Sequence, residues 1–185
     1  MEICDLNALE LARLVRSRQT SAVEVVKSCL ERVAQVDGRP GSLEQMPLSD
    51  EDKKRVHAFI TLTGENALQQ AEKVDQMLAA GEDPGVLAGV PFTVKDIFCV
   101  QDTLTTAASK ILANFTAPYT ATPVQRMQDA GAILLGKVNL DEFTYGSSNE
   151  SSAYQPSPRN PRHAVGSIRD RKSTRLNSSH SVTSR

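Results

Sequence analysis

Three observations predict an α/β fold. Strand, helix and strand patterns follow one another between residues 89 and 135, which is the alternation of α/β architecture. Ala132-Ile-Leu-Leu135 is a continuous apolar run, as in a strand covered on both faces. Upstream, apolar residues recur at helical spacing over two separate stretches.

Each element has its own signal. Leu6, Leu9, Leu14 and Val15 place a helix over residues 5–18. Thr20-Ser21 interrupts it, and Ser21 with Glu24 makes a capping box for a second helix over 22–36. Val23, Val26, Leu30 and Val33 form the apolar stripe of that helix, and Asp37-Gly-Arg-Pro-Gly41 ends it. Residues 41–56 are a polar insertion, expected as a loop with one short helical turn. Ala58-Phe-Ile-Thr-Leu62 reads as a strand, and 65–80 as a helix ending at Gly81. Gly89-Val-Pro-Phe-Thr-Val94 is a short buried strand that delivers Lys95-Asp96. Thr122-Pro123 reads as an N-cap followed by proline at the first helical position, with Gln125 completing a capping box. That helix runs to Ala130 and stops at Gly131, where the strand over 132–135 begins. After Tyr145 the chain turns small and polar.

Composition bounds the function. Over 185 residues 39% are hydrophobic and 23% charged, enough to bury a core. The net charge of -1 excludes a generally basic nucleic-acid binder. No apolar run approaches the roughly 18 residues of a membrane span, and the expectation is a soluble, cytoplasmic protein. The charge is uneven. Residues 162–185 hold six basic side chains against one acid, Asp170, which leaves -6 on residues 1–161. The stretch Asp170-Arg-Lys-Ser-Thr-Arg-Leu-Asn-Ser-Ser-His180 looks like the in-frame translation of a sequencing adapter. Residues 162–185 are therefore expected to be a non-native tail, and 1–161 the start of a longer protein.

Cys4, Cys29 and Cys99 lack metal-site spacing, and Cys29 on an apolar helix face reads as packing. No metal site is expected. His57, His163 and His180 are scattered. Gly131-Ala-Ile-Leu-Leu-Gly136-Lys137 imitates a phosphate loop. Val138 stands where that loop needs a hydroxyl, and Gly131 closes a helix where a loop should open one, so a nucleotide site is discounted. Lys95 directly follows an apolar strand, between Val94 and Ile97-Phe98. Burial disfavours the ammonium form, which makes a neutral lysine a usable general base. The plainer reading is a lysine at the surface that pairs with Asp96. Gly146, Ser147 and Ser148 suit close backbone approach to a substrate, although plain turns have the same composition.

Several blocks together are similar to the amidase signature family. They are Gly89-Val-Pro-Phe-Thr-Val-Lys-Asp96, Thr105-Thr-Ala-Ala-Ser-Lys-Ile-Leu112, Pro118-Tyr-Thr-Ala-Thr-Pro-Val-Gln-Arg126, Gly136-Lys-Val-Asn-Leu-Asp-Glu-Phe143 and Gly146-Ser-Ser-Asn-Glu-Ser-Ser-Ala153. The resemblance covers residues 1–161, with 41–56 as a departure, and within the family it favours the tRNA-dependent amidotransferase branch. It implies a mixed sheet sandwiched by helices and a Ser–cis-Ser–Lys triad with Lys95 as its base. Gly146, Ser147 and Ser148 would line the pocket. Glutamine would be the ammonia source, B and C subunits the partners, and tRNA would be engaged through the complex. The chain itself would need no cofactor, ATP and magnesium being used by the B subunit. The family's Gly-Gly-Ser-Ser-Gly-Gly-Ser segment is missing, and Gly166-Ser-Ile-Arg169 resembles only part of the segment that holds the nucleophile. Ser167 is either a remnant of that nucleophile motif or a chance match. The chain is expected to be inactive alone. The other readings are a different amidase signature hydrolase, or a non-catalytic binding or scaffold half-domain.

Overall fold

The computed structural model describes residues 2–38, 43, 49–52, 55–146, 149 and 151–154. The helix expected over 5–18 divides in two. A 3-10 turn occupies Ile3–Asp5, Leu6 is extended, and α1 spans Ala8–Arg16. Asn7 sets the break: its side chain accepts from Glu10 N, and Glu10 reaches back to Asn7 N. That reciprocal pair satisfies two of the N–H groups a helix start leaves open.

Helix α2 (Ala22–Val36) starts with the Ser21–Glu24 box, as expected. β1 (Phe59–Leu62) leads into α3 (Gly64–Ala80), which stops where Gly81 takes a left-handed conformation. From α3, Asp75 accepts from Ala22 N and Val23 N, so one helix caps another. β2 (Pro91–Lys95), α4 (Thr122–Asp129) and β3 (Ile133–Val138) complete the order. The α4 start differs from expectation. Ala121 is the N-cap, and no side chain caps the helix. A tertiary hydrogen bond from Ala121 N to Cys99 O pins the entry one residue early, which draws Thr122 inside the helix. Most of the 41–56 insertion lies outside the described residues. Within it, Ser49 Oγ accepts from Asp52 N in a short turn.

The sheet is mixed, in the order β1-β3-β2, with β3 antiparallel to β1 and parallel to β2. Helices α1 to α3 cover one face through Val15, Val25, Val26, Ala67 and Ala71, which cluster with Val90, Ile133 and Leu135. On the other face Val124 of α4 and Val100 pack on Leu134, with Phe92 and Val94 beside them. The strand is thus covered on both faces, and the sheet lies between helical layers as the resemblance implied.

One glycine pair fixes how the layers join. Gly131 (φ +88°) would place a Cβ 2.4 Å from Pro84 O, and Gly85 (φ +109°) would place one 2.5 Å from Ala130 O. This backbone-to-backbone approach aligns Leu87 N with Ala130 O and Gly89 N with Gly131 O, and so sets where β2 begins beside β3.

Candidate active site at the strand ends

β2 and β3 run in parallel and finish side by side, with Lys95 opposite Val138. Such C-terminal strand ends are where open α/β sheets place their sites. Lys95 is half-buried, between full solvation and full burial. Its backbone position is well held. Phe98 N donates to Lys95 O, and Asp96 N donates to Val138 O.

Asp96, offered by the sequence as the partner of a surface lysine, is itself fully buried. Its Oδ1 lies 2.9 Å from Lys137 Nζ, and both side chains are wholly inaccessible. Its Oδ2 accepts from Thr106 N (2.8 Å) and from the Thr106 hydroxyl. The Lys137 ammonium donates further to Leu104 O (3.0 Å) and to the Thr105 hydroxyl. Burial pushes the Lys137 ammonium below the ordinary lysine range, and the Asp96 carboxylate beside it works the other way. The segment imitating a phosphate loop is, as expected, the end of a helix followed by a strand. The strand continues beyond the expected 132–135, and Lys137 inside it faces a carboxylate, not an anion cradle.

The ladder explains how a lysine in an apolar strand reaches this network. Phe92 pairs with Leu134 and Thr93 with Gly136, so β2 skips Leu135. Such an irregularity disturbs the strict alternation of faces. Lys137 therefore meets residues 96–105, the segment whose Val100 packs on Leu134, while Leu135 goes to the helical side.

Around this ion pair the backbone is strained. Ala107 (φ +49°) and Ala108 (φ +55°) are consecutive left-handed residues with side chains, a conformation costing about 1 kcal/mol or more each. Neighbours hold them there: Ala107 N donates to Asp96 O, Ala108 N to Thr106 Oγ1, Phe143 N to Ala107 O and Ala153 N to Ala108 O. Tyr154 closes the same hub. It is buried beside Thr106, and burial raises its phenol above the usual range.

The small polar segment after Tyr145 is anchored by a residue that sequence reasoning missed. Asp141 is buried, and its carboxylate accepts from Asn149 N (2.9 Å), Ser151 N (3.3 Å) and Ser151 Oγ (3.0 Å). Gly146 is exposed, and a Cβ there would meet the Asp141 carboxyl at 2.5 Å, so the backbone passes close to this carboxylate. Asn139 Oδ1 likewise accepts from Ser152 Oγ and Leu140 N. The signal was an aspartate just ahead of a small polar run, the usual setting for side-chain-to-backbone capping. The structure links Asp96, next to Lys95, to Phe143 through Ala107, whereas Ser147, Ser148 and Ser167 lie outside the described residues.

Among the described residues no cluster of His, Cys, Asp and Glu could hold a metal ion, and no helix is long and apolar enough to cross a membrane.

Comparison with known proteins bears on this geometry. The family described as amidase matches residues 49–167. The A subunit of the glutamyl-tRNA(Gln) amidotransferase of Thermobifida fusca is 47% identical over 160 residues, covering 86% of this chain and 29% of that protein. Its counterpart in Lachnospira eligens is 38% identical over 168 residues, covering 90% of this chain and 32% of that protein. Among solved structures, the native peptide amidase from Stenotrophomonas maltophilia superposes with a TM-score of 0.68 at 28% identity, over 86% of this chain and 30% of its own. The 6-aminohexanoate cyclic dimer hydrolase does so at 0.68 and 26%, over 88% and 29%. The chain spans less than a third of the length of each of these relatives.

Proposed function

The chain belongs to the amidase family, and on that premise we propose that it is the amino-terminal part of the glutamine-hydrolysing chain of a tRNA-dependent amidotransferase. In this reading the whole protein hydrolyses glutamine in the cytoplasm and passes ammonia to a B subunit, with a small C subunit in the complex. The B subunit uses ATP and magnesium to amidate mischarged Glu-tRNA(Gln) or Asp-tRNA(Asn). The observation that carries it is the identity of 38–47% over most of the chain to proteins of that name. The placement of Lys95 agrees. A half-buried lysine at a strand end, beside the buried polar hub, is where the reading would put a pre-oriented base.

The chemistry proposed is the one that the family resemblance implies. The neutral Lys95 amine accepts the proton of a bridging serine hydroxyl, which accepts the proton of the nucleophilic serine as its Oγ attacks the glutamine carboxamide carbon. The C–N bond breaks, ammonia leaves with a proton returned along the same path, and water later releases glutamate from the acyl-enzyme. Gly146, Ser147 and Ser148 line the pocket in this proposal, and Ser167 stands as either a remnant of the nucleophile motif or a chance match. The 185 residues hold no Gly-Gly-Ser-Ser-Gly-Gly-Ser segment, so the reading expects no turnover from these residues alone, and it keeps the stretch from about residue 170 as adapter sequence.

The test is glutaminase turnover of the full-length protein in its complex, with and without Lys95→Ala. The reading expects loss of at least about a thousandfold in kcat with an unchanged melting temperature. Retained turnover in that variant removes Lys95 from the mechanism, and turnover of other amides without glutaminase activity would favour a different amidase.

A further inference from the structure

We propose that Lys137 and Asp96 form a positioning pair for Lys95, holding the base by clamping the backbone immediately after it to the strained 104–108 segment. This rests on the assignment of Lys95 as the base. Asp96 is hydrogen-bonded at its N–H, its carbonyl and Oδ2, and among the described residues its buried Oδ1 has no hydrogen bond and is held by the Lys137 charge alone. Its N–H goes to Val138 O, its carbonyl accepts from Ala107 N, one carboxylate oxygen faces Lys137 Nζ at 2.9 Å, and the other accepts from Thr106. Adjacent Cα atoms lie about 3.8 Å apart, so fixing Asp96 leaves Lys95 little beyond its own side-chain rotations.

Lys137 contributes the other half of the clamp. In the sheet its backbone pairs with Val94, the residue before Lys95. Its ammonium spans to Leu104 O and Thr105 Oγ1 as well as to Asp96. The pair thus grips both flanks of Lys95 and ties them to Thr105-Thr106-Ala107-Ala108, a run in which every residue is buried. Stability alone is a poor reason for such a pair. Buried ion pairs are commonly replaceable by neutral groups without loss of stability, whereas removing one partner strands a charge. What the pair supplies that a neutral replacement would not is a directional fix on two chain segments that meet at the base.

The test uses the full-length protein in its complex and the double variant Asp96→Asn with Lys137→Met, which removes both charges together. The expected result is a folded protein melting within a few degrees of the parent, glutamine KM within about threefold, and kcat lowered about a hundredfold, the loss typical of roughly 1 Å misplacement of a reacting group. A merely structural pair would leave kcat alone, whether or not the melting temperature moved. A folded double variant with kcat within about threefold of the parent overturns the proposal. Should the double variant fail to fold, Thr105→Val carries the test, since it keeps the ion pair and removes one contact of the ammonium. A kcat lowered several-fold at unchanged KM and melting temperature supports the clamp, and an unchanged kcat overturns it. Lys95→Ala measured alongside separates the two ideas. Turnover in that variant sinks the base assignment, while an inactive Lys95→Ala beside a fully active double variant sinks the positioning pair alone.

Discussion

The helical side of the sheet and the strand-end hub are built on opposite principles. On the helical side Val15, Val25, Val26, Ala67, Ala71, Ile133 and Leu135 exclude water with apolar side chains alone. In the hub, residues 96, 105, 106, 109, 137, 139 and 141 are polar yet buried, and Ala107, Ala108, Phe143 and Thr144 sit at positive φ. The apolar layer is non-directional and stabilises whatever shape brings it together. The polar hub is directional and holds one geometry, with a large penalty for any unpaired group. That is the division expected when one part of a protein supplies stability and another supplies placement.

The largest effect that would sharpen this contrast is truncation in the apolar layer. Ile133→Ala removes a side chain with no exposed surface and should cost about 3–4 kcal/mol, read as a fall in denaturant midpoint of the full-length protein with the glutamine KM unchanged. If KM moved with it, the two regions would not be separable. Next comes Gly131→Ala, which puts a Cβ against Pro84 O at a φ of +88°. It should cost about 2–3 kcal/mol, and a neutral result in thermal melting would show that the 84–88 and 130–131 segments yield easily.

Asp141→Ala follows. It leaves Asn149 N and Ser151 N without their acceptor and should cost about 1–3 kcal/mol. Faster amide exchange confined to 149 and 151, with the helical core still protected, is the expected pattern. The smallest effect concerns Cys29, whose thiol burial pushes up to about 11. Its folded pKa lies above the unfolded value. The stability tied to it is therefore present below the unfolded pKa near 9 and is lost as pH rises from there toward 11. At a pH of about 8 a thiol reagent should label Cys4 before Cys29, and equal rates would mean that α2 opens readily.

Legibility follows the same divide. The stripe Val23, Val26, Leu30 and Val33 and the Ser21–Glu24 box are local signals, and α2 has the bounds they predict. The hub cannot be read this way, because its partners are far apart in sequence: Lys137 meets Leu104 and Thr105, which lie 33 and 32 residues earlier. Lys95 stands out because an apolar strand ends at it, a local fact. Lys137 stands out for the wrong reason, a resemblance to a phosphate loop, since nothing near it in sequence announces the Asp96 carboxylate. The α4 start is hidden on similar grounds, its entry being fixed by a bond to Cys99 O. Asn7 is a local signal overshadowed by the leucine spacing around it.

The most direct measurement is a structure of the full-length protein with its glutamine-derived acyl intermediate trapped. The account predicts Lys95 Nζ within about 3 Å of a serine hydroxyl that in turn reaches the acylated serine, with the Asp96–Lys137 pair intact beneath it. A Lys95 ammonium directed to solvent or locked onto a carboxylate, away from any serine, would contradict it.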